Sequence, residues 1–171
     1  MLDRLFRLSA AAARALAVLT MLLLGGLVLL ITLDVSRRTL GAKPLSWTSD
    51  VAEYILLYAT FLPMAAIVRD KGHVFVEFLR AALPPSAQRA LERGVYAVCL
   101  VICVYLAWIA SVHLVTAVRT GAYDTRAFDM PRWLVYVPMA IGLWLSSVEW
   151  LRFLLGRASL YDLDALQRDG Y

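Results

Sequence analysis

A chain of 171 residues that is 61% hydrophobic lies above the roughly 45–50% apolar content of soluble domains, which excludes an ordinary water-soluble globule. Its formal charge of +4 forms no basic stripe, so nucleic acid is excluded as a partner and the excess is left for membrane orientation and anionic lipid. Two cysteines draw neither a disulfide framework nor a metal site.

Four stretches free of Asp, Glu, Lys and Arg, over 15–33, 54–68, 94–118 and 133–148, set the order of elements. At about 1.5 Å rise per residue the first covers roughly 28 Å, close to the hydrocarbon thickness, and reads as a spanning helix. Arg4, Arg7 and Arg14 precede it as in a signal sequence. It runs into Ile31-Thr-Leu-Asp34 instead of a small-residue cleavage site, which predicts an uncleaved anchor. The helix should end near Asp34-Val-Ser-Arg37-Arg38, where Asp34 and Arg38 are four apart and can pair on one face. Gly41 and Pro44 then break it, and Trp47 stands where an interfacial aromatic belongs. Thr48-Ser49-Asp50 offers N-caps for the second helix. Asp50 with Glu53 approximates a capping box at the positive end of the helix dipole.

Pro63 removes a donor inside the second span, frees a carbonyl near Ala59 and predicts a kink; Pro138 predicts the same in the fourth. Past Arg69 the chain turns amphipathic. Val74, Phe75, Phe78, Leu79, Ala82 and Leu83 recur at helical spacing, with Glu77 and Arg80 off that stripe. This predicts an interfacial helix over about 73–83, ended by Pro84-Pro85. Ser86 is a cap for a short helix over 86–93 that leads into the third span. That span is roughly 37 Å long and must tilt or project. Cys99 and Cys103 share one of its faces and read as small apolar packing groups. A polar loop over 119–132 follows, with Gly121 inside it and Met130-Pro131 before Trp133. The fold class is therefore an all-α integral membrane protein, a single membrane domain over 1–171. It has four transmembrane helices (about 15–35, 50–69, 94–118 and 132–152) and an interfacial helix between the second and third.

Lys and Arg give the orientation. The N-terminal arm, the segment 69–93 and the tail after Val148 hold eleven of them, against six in the loops 34–50 and 119–132. The positive-inside bias places both termini and 69–93 in the cytoplasm.

No HExxH, CxxC, nucleotide-binding loop or nucleophile elbow occurs, so no enzyme is expected. The middles of the spans hold almost nothing ionisable, which argues against a self-contained pump or proton relay. Nothing resembles the paired interrupted helices of an inverted-repeat carrier. His73 and His113 are the only candidate haem ligands, and roughly 28 Å of depth between them rules out one haem. A small multidrug exporter needs an acid in its first helix, absent from 15–33.

Arg69-x-x-x-His73-Val-Phe-Val-Glu77-Phe-Leu, the Leu83-Pro84 stop, Arg38 nine residues before Trp47 with Pro44 between, and Trp133-Leu-Val-Tyr-Val-Pro138 carry a resemblance. Together they resemble the small membrane subunit, the DctQ-type permease, of tripartite ATP-independent periplasmic (TRAP) transporters. The likeness runs from the first span through the fourth. Two positions depart from it: Ser49-Asp50 stands where family members often carry two Glu, and Glu77 where they often carry Asp.

The resemblance implies a scaffold subunit that supports a larger, sodium-coupled permease subunit and helps dock a periplasmic binding protein for uptake of an organic acid. No cofactor is expected in this chain, sodium belonging to the large subunit. The location implied is the bacterial inner membrane, with lipid as a further partner. The partner-contact candidates are Arg38, Trp47, Asp50, Glu53, Arg69, His73, Glu77, Arg126 and Trp133. Arg69 or His73 would pin the interfacial helix through backbone or Glu77. Arg37, Lys43, Asp50, Arg119, Asp124, Arg126, Asp129 and Arg132 are candidates for docking the binding protein on the outer side. A membrane anchor for another complex, such as a respiratory enzyme, is the alternative.

Overall fold

The computed structural model describes residues 2–43, 45–70, 84–124 and 129–156. The interfacial helix expected over 73–83, with His73 and Glu77, lies outside the described residues, as do Pro44 and Arg126. Among the described residues, five helices and one small hairpin follow in chain order: α1 (Leu2–Thr39), α2 (Thr48–Phe61), α3 (Met64–Arg69), α4 (Pro85–Thr120), β1 (Tyr123–Asp124), β2 (Met130–Pro131) and α5 (Trp133–Leu154). α2 and α3 together make one span, so four helical segments are long and apolar enough to cross a membrane. Helices are what lipid demands of such runs, because a helix satisfies its own backbone within the segment.

The breaks come where backbone chemistry requires them. α1 ends in a Schellman turn: Gly41 adopts φ +78°, its N–H donates to Arg38 O, and Ala42 N–H donates to Arg37 O. At Pro63 the second span is interrupted between Phe61 and Met64, as the missing donor predicts. Gly121, at φ +57°, closes α4.

α5 carries Pro138 without a break, running from Trp133 to Leu154. Two expectations are corrected. Residues 86–93 are no separate helix, because Pro85 takes the first helical position and nothing breaks the chain before Gly94, so α4 starts there. Nor is Thr48, Ser49 or Asp50 the N-cap of α2, a position that falls to Trp47, which makes no side-chain cap bond. The preceding turn is already helical at Trp47, and backbone carbonyls take the first donors: Thr48 N–H to Leu45 O and Val51 N–H to Trp47 O.

α5 lies at the centre, packed against α4, α3, α2 and α1. Its contacts with α4 run the length of the bundle. Tyr96 and Cys103 meet Trp150 and Phe153 at one end, and Ala107 and Ala110 meet Ala140 and Leu143 at the other. Ala13, Ala65 and Ala66 line the seam between α1 and α3. Small residues let helix backbones approach where lipid supplies no hydrophobic drive. The closest approach is at Gly142, where an added Cβ would stand 2.1 Å from Phe61 O.

Candidate functional site

The polar side chains collect at the two ends of the bundle. We call the end where α1 begins proximal and the end where it stops distal. At the proximal end Glu149 is wholly buried, although it sits in an otherwise apolar stretch of α5. Three elements converge on its carboxylate. Ser9 of α1 donates from Oγ to Oε1 at 2.7 Å, and Arg69, the last residue of α3, reaches Oε1 at 3.0 Å and Oε2 at 3.3 Å. Arg152, one turn further along α5, donates to Oε2 at 3.0 Å. An unpaired carboxylate here would cost several kcal/mol, so the three donors are a condition of its burial. Tyr96, Trp150 and Phe153 form an aromatic triad with centroids 5.7–6.2 Å apart in the same stretch of the bundle.

At the distal end Asp34 is buried, accepts the Leu45 N–H at 2.9 Å and pairs with Arg38. The pairing at spacing four is the one the sequence indicates. The loop expected to be merely polar contains a hairpin, with Tyr123 opposite Pro131 and Asp124 opposite Met130. Arg132 closes it, its Nη2 2.9 Å and its Nε 3.0 Å from Asp124 Oδ1. Beside the hairpin a crevice of about 370 Å³ is lined by Glu53, Tyr54, Thr60 and Asp124 among others. His113 stacks on Tyr136 at 5.4 Å.

Between the two ends the bonds are local or join neighbouring helices. Thr20, Ser146 and Ser147 return their hydroxyls to carbonyls one turn back, at Leu16, Gly142 and Leu143. Trp144 Nε1 donates to Ser111 Oγ at 3.0 Å, linking α5 to α4. Tyr58 donates to Leu134 O at 3.1 Å. That carbonyl is the one left without a helical donor by Pro138, four residues on, so α2 supplies what the proline withholds. Of the buried polar side chains, Ser9, Thr20, Asp34, Ser146, Ser147 and Glu149 all bond within the bundle. Thr48 Oγ1 has no partner among the described residues.

The candidate residues thus fall in different places. Arg69 joins Glu149 at the proximal end. Arg38, Trp47, Asp50, Glu53 and Trp133 all belong to the distal end, Trp47 and Trp133 with over a third of their surface exposed. His73, Glu77 and Arg126 lie outside the described residues. Glu149, Ser9, Arg152 and Tyr58 were absent from the sequence reading. A signal for the first existed: an acid three residues before an arginine, inside the last two turns of an apolar helix.

Such a bundle, with four apolar spans and its charges at the ends, defines a multi-pass membrane protein. Residues 27–159 match the model of the DctQ component of tripartite ATP-independent periplasmic transporters, and the chain belongs to that family. It is a small component of such a transporter, which sets aside the anchor of a respiratory enzyme. A comparison with curated proteins finds no match.

Proposed function

We propose that this chain is the stationary brace of its transporter. It supports a large sodium-coupled permease subunit in the bacterial inner membrane and helps to dock a periplasmic binding protein that delivers an organic acid. Both termini and the segment 69–93 lie in the cytoplasm, so the distal end, with Arg38, Trp47, Asp50, Glu53, Arg132 and Trp133, faces the periplasm. Charges spread over that end set encounter rate and register for the binding protein more than affinity.

The observation that carries the proposal is on α4. Tyr105 and Trp108 stand near the midpoint of the span Ala90–Thr120 and are 63% and 64% exposed. Neither the phenol nor the indole has a hydrogen-bond partner among the described residues. Aromatic residues with polar tips belong at the membrane interfaces, where water and headgroups accept their hydrogens. Hydrocarbon accepts none. A helix of the large subunit laid along α4 meets both donors and covers Val101 and Val112 on the same exposed side.

Replacing both residues with Leu tests this, because lipid tolerates Leu as well as any side chain. The double variant is expected to weaken co-purification of the large subunit about tenfold or more, as loss of two interface aromatics does. Unchanged co-purification would mean that this face meets lipid.

A further inference from the structure

We propose that Arg69 and Arg152 form a binding site for the phosphate of an anionic phospholipid, with Glu149 holding both guanidinium groups in place. The carboxylate of Glu149 is saturated. Its oxygens take Ser9 Oγ, Arg69 Nη1 and Arg152 Nη1, which fills the roughly four acceptor positions a carboxylate has. The arginines are not saturated. Each approaches Glu149 through Nη1 alone, and the Nε and Nη2 groups of both have no hydrogen-bond partner among the described residues, the Arg152 guanidinium lying over the Phe153 ring. A guanidinium is a planar fork of five N–H donors, and the Nε–Nη2 edge is the one suited to bidentate phosphate.

Charge points the same way. Two guanidinium groups against one carboxylate leave a surplus cation. Asp70 is exposed and, among the described residues, paired with neither arginine. In the sequence that follows, Lys71 and Arg80 outnumber Glu77, so 71–83 brings no neutralising excess.

Depth and surroundings select the source of the phosphate. Arg69 ends α3 and Arg152 lies in the last turn of α5, so both stand where the apolar spans finish. Their side chains keep 28% and 17% exposure, within reach of the headgroup layer. Ile67, two residues before Arg69, and Leu155, three after Arg152, are exposed apolar groups. A soluble phosphate would leave them bare, whereas a diacyl lipid covers them. A zwitterionic headgroup brings an ammonium toward a site already in surplus of positive charge. Phosphatidylglycerol is therefore preferred over phosphatidylcholine, and the assignment does not depend on which leaflet is involved.

The full chain, extracted with mild detergent from vesicles of equal parts phosphatidylglycerol and phosphatidylcholine, is analysed by native mass spectrometry for retained lipid. An enrichment of about tenfold in phosphatidylglycerol is expected from charge-assisted hydrogen bonds. The R69K/R152K variant keeps both charges and a bond to Glu149 but loses the forks, and its enrichment should fall toward unity. Millimolar inorganic phosphate should displace none of the bound lipid. Equal retention of the two lipids, enrichment unchanged in the variant, or displacement by inorganic phosphate would each overturn the assignment. Should the variant fail to fold, the wild-type chain decides alone. Short-chain phosphatidylglycerol should raise its Tm by several degrees over matched phosphatidylcholine, and an equal effect of the two would refute the site.

Discussion

Pro138 has no N–H for the carbonyl of Leu134, yet α5 runs through it without a break, and Tyr58 of α2 donates to that oxygen. A proline inside a helix strands the carbonyl one turn back, and a hydroxyl from the next helix can serve it. The bond makes a coupled prediction. Y58F should cost about 0.5–1.5 kcal/mol, the usual worth of one such hydrogen bond. In a P138A background the alanine N–H serves the carbonyl, so the same change should cost close to nothing. Thermal unfolding of the four proteins in one detergent measures the cycle, and additive effects would show that Tyr58 does not answer the proline. Glu149 teaches a related lesson at this scale. Its place beside the polar tail gives no hint of burial, yet it is wholly buried beneath Ser9, Arg69 and Arg152. One-dimensional counting assigns a residue to the side of a boundary; only the position of α1 and α3 shows that the boundary acid is roofed.

At the scale of elements, α5 is held by close backbone approach as much as by side chains. The carbonyl of Phe61 lies where a Cβ on Gly142 would have to go, so G142A must push α2 away from α5. Overpacking of this kind costs about 1–3 kcal/mol. Gly94, with open space around it in α4, supplies the control: G94A should be neutral or stabilising by up to about 1 kcal/mol. Opposite signs in thermal unfolding support the close approach, and equal small effects would contradict it. The elements themselves were readable because their causes are local. Charge-free runs of the right length mark the spans; Gly41, Pro84-Pro85 and Gly121 stand at helix limits, and Pro63 at the break within the second span. The N-cap falls elsewhere than expected because local backbone geometry decides: the Leu45–Trp47 turn is already helical and supplies its own carbonyls, which moves the cap from Thr48–Asp50 to Trp47. The helix over 86–93 merged with the third span because nothing between Arg93 and Val95 interrupts the ladder.

Across the molecule, ion pairs among the described residues mark the ends: Glu149 with Arg69 and Arg152 at one, Asp34 with Arg38 and Asp124 with Arg132 at the other. Ser9 and Asp34 are separated along α1 by roughly 37 Å at about 1.5 Å per residue, slightly more than a hydrocarbon core of about 30 Å. Between them Thr20, Ser146 and Ser147 return their hydroxyls to their own helix, and Tyr58 and Trp144 bridge to a neighbour. The absence of mid-span charge was legible in composition, because a charge can be counted. The proximal site was not, because it joins α1, α3 and α5 across 140 residues of sequence. Nor does the sequence show which apolar face is left over, since that depends on how α4 turns toward α5, which leaves Tyr105 and Trp108 outward.

A chain that acts as a brace carries no solute by itself. Liposomes holding this chain alone, the large subunit alone, or both, each with the binding protein and an inward sodium gradient, provide the direct measurement. Uptake of radiolabelled organic acid is expected only when both membrane subunits are present. Accumulation by liposomes that contain this chain without the large subunit would contradict the account.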